Sequence, residues 1–184
     1  MPAVILAFGL ASGAHAANWS AAQQAEVNDL ESRLLSHDSA TAVLGAWCRD
    51  HHLAIDPTIR AERDAREAPA DADTLARLGV RDPAQVRYRH VRLMCGTRVL
   101  SEADNWYRPD VLTPEMNAAL DKTRTPFGVV VAPLGFRRTM LPTGAPGPGA
   151  VLRHRAVLTT AGGRPFSVVV ETYTRQVLSD EEER

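Results

Sequence analysis

Lysine is almost missing from this sequence. Lys122 is the only one in 184 residues, so arginine carries nearly all of the 21 positive side chains. A Schiff-base lysine is therefore a poor fit, because Lys122 falls at a polar helix end. Arginine instead suits recognition of carboxylates, which its planar fork can grip at two points. Cysteine is scarce as well: Cys48 and Cys95 are the whole complement, too few for a disulfide framework. Each lies in an apolar periodic run and reads as a buried thiol, although in an exported protein the two could pair. Excess charge of one sign is lacking too. The net charge is −1, which argues against general binding to nucleic acid or membrane surfaces.

Several motifs are absent. Cys48, Asp50, His51 and His52 match no zinc or HExxH spacing, so no metal is expected. His51 and His52 read better as partners for a helix C-terminus. Ser101 has no GxSxG elbow around it. The Pro/Gly run 142–149 lacks the GKS/T ending of a phosphate loop. After the first 16 residues no stretch is long enough to span a bilayer.

Those first residues are different. Val4 to Ala14 is an apolar, small-residue run, and Ala14-His15-Ala16 fits a small-x-small cleavage site. Residues 1–16 read as a secretory signal, or else as a packed N-terminal piece, since no Lys or Arg precedes the run. Residues 17–184 read as a single domain, and export is the expectation that follows from the first reading.

What remains has the hydrophobic content, 45%, of an ordinary globular domain. Residues 20–36 have a helical apolar stripe behind Ser20 as N-cap, and a second helix starts at Ser39. A strand is predicted over 53–63, then a polar connector with a short helix at 72–78 ending at Gly79. Residues 86–107 predict a hairpin turned at Gly96-Thr97. Thr113-Pro114 opens another short helix. Residues 127–141 predict a strand region broken at Pro133, and 150–178 a hairpin turned at Gly162-Gly163. Helices followed by antiparallel strands, without βαβ alternation, give an α+β fold.

Two charged residues stand out. Arg89 shares a strand face with Val91, Leu93 and Cys95, so it points inward, where an unpaired guanidinium is costly. Glu171 interrupts the valine-rich run of a central strand and needs a partner for the same reason. Either they pair with each other, or they flank a cavity, with Arg89 on a ligand carboxylate and Glu171 on a hydroxyl or ether oxygen. Trp106 and Tyr107 read as packing beneath the corner at Pro109.

Taken in order, Ser39 and Thr41, Arg89, Pro109, Thr125-Pro126-Phe127-Gly128, the Gly-Gly-Arg-Pro turn and Glu171 resemble the chorismate lyase family, over roughly residues 30–178. The resemblance implies a roughly six-stranded antiparallel sheet with helices packed on it and a closed internal ligand pocket. It implies no cofactor and, as activity, elimination of pyruvate from chorismate to give 4-hydroxybenzoate. It places Arg89 on the carboxylate and Glu171 at the other end of the ring. Phe127 falls where the family has a leucine, with Gly128 beside it. Ala40 and Val91 fall on the pocket wall. The expected partner is chorismate or a small aromatic acid, bound by a monomer. An exported lyase would meet little chorismate, however. The leader therefore also supports a non-catalytic, exported binder of a small aromatic acid, and a purely structural domain is the third reading.

Overall fold

The computed structural model describes residues 19–179. The predicted leader and nearly all of the acidic tail lie outside the described residues. The architecture is α+β, with a six-stranded, wholly antiparallel sheet and helices packed on it.

Two helices open the chain. Helix α1 (Ala21–Leu35) starts in a capping box: Gln23 N donates to Ser20 Oγ, and Ser20 N donates to Gln23 Oε1, both at 3.1 Å. It buries Val27, Leu30 and Leu34, as the spacing predicts. Helix α2 (Ala40–Asp50) is capped by Ser39, whose Oγ accepts from Ala42 N at 3.2 Å. It buries Ala40, Val43, Leu44, Trp47 and Cys48. The indole of Trp47 donates to the Val177 carbonyl at 2.7 Å, which ties α2 to the far end of the chain.

The sheet comprises β1 (Ile59–Arg63), β2 (Arg87–Cys95), β3 (Arg98–Tyr107), β4 (Arg137–Leu141), β5 (Ala150–Thr159) and β6 (Pro165–Thr174). Its order is β1-β2-β3-β6-β5-β4. It is thus two three-stranded meanders joined where β3 meets β6. The valine-rich β6 is central, as its two-sided burial requires. One face carries α1, α2 and the short helices α4 (Pro114–Lys122) and α5 (Phe127–Val130). The other face is covered by α3 (Ala72–Leu78) and its connector, where Leu78 and Val80 pack on Val168.

Three expectations need correction. The strand predicted over 53–63 is confined to Ile59–Arg63. Ahead of it, Asp56-Pro57 makes a turn in which Thr58 N donates to Asp56 Oδ1 at 3.0 Å. Residues 127–134 are a helical turn and a 3-10 turn, and only Arg137–Leu141 is strand. Packing explains the change. A strand would put Phe127, Val129 and Val131 on one face, whereas a helical turn aligns Phe127 with Val131. Those two are buried at 6% and 0% exposure, and Val129 is left in solvent at 53%.

The third correction concerns the cysteines, which are not thiols. Cys48 on α2 and Cys95 at the end of β2 form a disulfide across the core, with Cα atoms 6.2 Å apart. The helix lies on the sheet with its last turn over the β2 terminus, so both side chains point into one contact. The bond closes a loop of 47 residues. Replacing both cysteines by alanine is expected to cost roughly 2–4 kcal/mol by restoring freedom to the unfolded chain. Urea unfolding of the oxidised protein against the double variant measures it.

Candidate functional site

Because the strands are antiparallel, paired residues share a face. On the face under α2 and α5, one row runs Arg89, Asn105, Val169, Ala156 and the next runs Val91, Ala103, Glu171, His154. A narrow cavity lies over these rows, roofed by the first turn of α2 and by α5. Its volume is about 30 Å³. Ala40, Val91, Phe127, Gly128 and Glu171 all line it. Asn105 and Arg138 also line it, and the sequence reading singled out neither.

Arg89 sits beside this space rather than in its lining. It is 2% exposed, and its one hydrogen bond among the described residues runs from Nη2 to the Thr125 carbonyl at 3.4 Å. Its Nε and Nη1 have no partner. Burial, reinforced by the nearby charge of Arg63, pulls its pKa down to about 10. Asn105, its cross-strand partner, and Phe127, two residues beyond Thr125, both line the cavity. Phe127 is itself held among Tyr107 and Phe166, with ring centroids 5.4 and 6.3 Å away. Tyr107 and Trp106 both pack, but on opposite faces, and only Tyr107 lies where the sequence placed it. Tyr107 is under the corner, and Trp106 lies under the connector, donating to the Ala68 carbonyl at 2.9 Å.

Direct pairing of Arg89 with Glu171 is not found. Glu171 is held by Arg138 of β4, whose Nη2 donates to Glu171 Oε2. The hydroxyl of Tyr173 donates to the same oxygen at 3.0 Å. The Arg138 and Glu171 side chains are only 4% and 8% exposed. Burial alone would lower the Arg138 pKa, but the charge of Glu171 and the hydrogen bond to it hold it well above the usual arginine value. Burial beside this carboxylate also pushes the Tyr173 phenol well up. The backbone N–H of Arg138 donates to Asp38 Oδ1 at 2.7 Å, next to the α2 cap. One residue therefore ties the sheet edge to the roof of the cavity.

Arg89 and Glu171 are thus two strands and one row apart, about 12 Å between Cα atoms from strand spacings, with the cavity between. The roof closes tightly at Gly128. A Cβ there would lie 3.1 Å from Thr41 Oγ1 and 3.3 Å from Ser39 Oγ.

His154 is the next buried titratable group. It is 5% exposed, and neither ring nitrogen has a hydrogen-bond partner. Glu31 of α1 comes to 3.9 Å of Nε2, and Tyr173 packs edge-on at 5.5 Å. Burial, then the positive charge of Arg138, lowers its pKa below the usual 6.5. The unfolded chain takes up this proton more readily than the folded one. The stability that His154 contributes is therefore complete above pH 6.5 and is lost as pH falls through the lower folded value. A His154→Leu variant is expected to lose less stability than the wild type between pH 7 and pH 5, by urea unfolding at each pH.

Among the described residues, no group of three or more His, Cys, Asp and Glu side chains could hold a metal ion. No described helix is long and apolar enough to cross a membrane.

The sequence matches no family model. It is 39% identical over 179 residues to the uncharacterized protein y4mC of Sinorhizobium fredii, covering 84% of this chain and 76% of that protein. Among solved structures, the possible transcriptional regulator YydK of Bacillus subtilis aligns at TM-score 0.47 and 11% identity, over 65% of this chain. The chain spans only 58% of YydK. PhnF of Mycobacterium smegmatis aligns at TM-score 0.49 and 14% identity, over 64% of this chain and 58% of PhnF. The ligand-binding domain of a GntR-family regulator from Bordetella bronchiseptica aligns at 0.45 and 19%, over 66% and 83%.

Proposed function

We propose that this chain, which belongs to the same family as y4mC of Sinorhizobium fredii, binds a small aromatic carboxylic acid between its sheet and the starts of α2 and α5. The observation that carries this reading is Arg89. A guanidinium 98% buried, with two nitrogens unpartnered, is costly unless an anion meets it. The cavity alongside supplies apolar walls from Val91, Val169 and Leu158 and a polar edge from Asn105. A carboxylate directed at Arg89, with its ring over the Val91 and Val169 rows, satisfies the charge and covers the apolar surface together.

Non-catalytic binding is favoured because Glu171 is already engaged. Proton transfer at an ether oxygen needs a group free to give or take a proton, and Glu171 is held by Arg138 and Tyr173. The lyase reading keeps one specific support: Glu171 lines the cavity and the unpartnered guanidinium of Arg89 lies buried beside it. The Cys48–Cys95 disulfide fits an oxidising compartment, so export remains part of the proposal.

Thermal-shift and calorimetric titration with 4-hydroxybenzoate and a panel of substituted benzoates tests binding. Incubation with chorismate, followed by chromatography, tests turnover. Binding of a benzoate without pyruvate release is the expected result. Release of 4-hydroxybenzoate above the spontaneous rate would establish the lyase instead, and no response to any aromatic acid would overturn both.

A further inference from the structure

Asn105 is as deeply buried as Arg89. It is 2% exposed, and its side chain makes no hydrogen bond among the described residues. It lines the cavity, so whatever satisfies its amide comes from there. It also faces Arg89 directly across the β2–β3 pair, which sets the two Cβ atoms about 5 Å apart. One small group can therefore reach both side chains.

Both residues stand on paired strands, so this polar end of the site is already in place. The free cavity is about 30 Å³, whereas an apolar cavity that takes benzene measures about 150 Å³. A ring thus enters only as the α5 roof yields, but its carboxylate meets groups that need not move.

An amide asks for more than an anion. A carboxylate can accept from Arg89 and from Asn105 Nδ2 together. Asn105 Oδ1 is an acceptor, and a plain carboxylate has no hydrogen to offer it. The missing donor has to sit beside the carboxylate, because Asn105 sits beside Arg89. A para hydroxyl lies across the ring, toward Glu171, which Arg138 and Tyr173 already hold.

Resting on the proposal that the cavity receives an aromatic acid, we infer that Asn105 selects among such acids for one with a donor on the ring carbon next to the carboxylate. The chemical class is an ortho-amino or ortho-hydroxy aromatic acid. An amino group suits the position better. The single hydroxyl hydrogen of 2-hydroxybenzoate is shared with its own carboxylate, whereas a 2-amino group has a second hydrogen left for Oδ1.

The test is calorimetry on the full chain with benzoate, 2-methylbenzoate, 2-hydroxybenzoate, 2-aminobenzoate and 4-aminobenzoate. The methyl group matches the amino group in size but donates nothing. 2-Aminobenzoate is expected to bind about ten- to a hundredfold more tightly than 2-methylbenzoate, the range for leaving a buried acceptor unpaired. 2-Hydroxybenzoate is expected between them, and 4-aminobenzoate no tighter than benzoate. Asn105→Leu is expected to erase the gap between the 2-amino and 2-methyl acids, which separates the amide's effect from the ligands' own shapes. Asn105→Asp sets a carboxylate opposite Arg89 and is expected to weaken every acid at least about tenfold. Benzoates that bind with no gain from the 2-amino group overturn the selection by Asn105 and leave the acid-binding reading intact. A gain that persists in Asn105→Leu also overturns it, since the donor is then met elsewhere. Failure of every acid in the series to bind overturns the acid-binding reading itself.

Discussion

Replacing Arg89 by methionine is expected to make the unliganded protein more stable and at the same time to weaken aromatic-acid binding by at least about a hundredfold. The first effect follows from the buried charge. A pKa of about 10 means that folding disfavours the protonated guanidinium, by about 3 kcal/mol at neutral pH. The sign is fixed by proton uptake. Between the folded and unfolded pKa values the unfolded chain binds more protons, so this penalty is relieved only as pH rises above about 10. Methionine has a similar length, carries no charge and leaves no unpartnered donors. Substituting buried ionic groups by apolar ones of like volume is commonly neutral, or stabilising by about 1–4 kcal/mol. The second effect follows from losing the partner of the carboxylate. Urea unfolding and calorimetry with a bound benzoate read the two effects separately. A residue that only supports packing would lower stability on replacement and leave binding to follow it. Lower stability with unchanged affinity would remove Arg89 from the site.

The second large effect lies at the other end of the cavity. Arg138→Met is expected to cost about 3–5 kcal/mol, because it strands Glu171 as a buried carboxylate with only the Tyr173 hydroxyl beside it. The Arg138 backbone hydrogen bond to Asp38 survives the change, so the loss reports on the charge pair and not on the α2 roof. Replacing both residues, Arg138→Met with Glu171→Leu, is expected to recover most of that loss, since no uncompensated charge then remains. Urea unfolding of the two single variants and the double variant gives the coupling. Additive losses, with no recovery in the double variant, would mean that the pair is not the unit that matters there.

The two ends of the cavity were unequally legible. Arg89 was readable because β2 alternates cleanly: Val91, Leu93 and Cys95 on the same strand face are apolar, and period-two geometry points all four inward. Glu171 was conspicuous as one acid in a valine run. Arg138 was not, because its strand has no clean alternation and Leu141 falls on the opposite face. The preceding Val129-Val130-Val131 also looks like strand when it is split between a helical turn and its cap. A four-residue helix is too short to display a 3.6-residue period. The partner of Glu171 depends on β4 taking the edge beside β5, a choice of strand order that local pattern does not encode. The disulfide was missed for a related reason. Two cysteines 47 residues apart say nothing about distance until α2 is laid over β2. Asn105 was overlooked because a single polar residue in β3 is a weak signal until its cross-strand partner proves to be the unpaired arginine.

The arrangement of the sheet as two meanders bears on when the site comes into being. Each three-stranded half is built mostly from neighbours along the chain, whereas the β3–β6 seam joins residues from 60 to 72 apart in register, such as Tyr107 with Ser167 and Tyr173 with Ser101. The cavity lies over that seam and draws walls from both halves. Neither half alone offers the acid a complete place to bind. Closing the longest loops is the slow part of assembling such a topology. A ligand that recognises only the joined halves acts as a clasp on the finished molecule: it holds the seam shut by slowing its opening, and it does not hasten the search that brings the halves together.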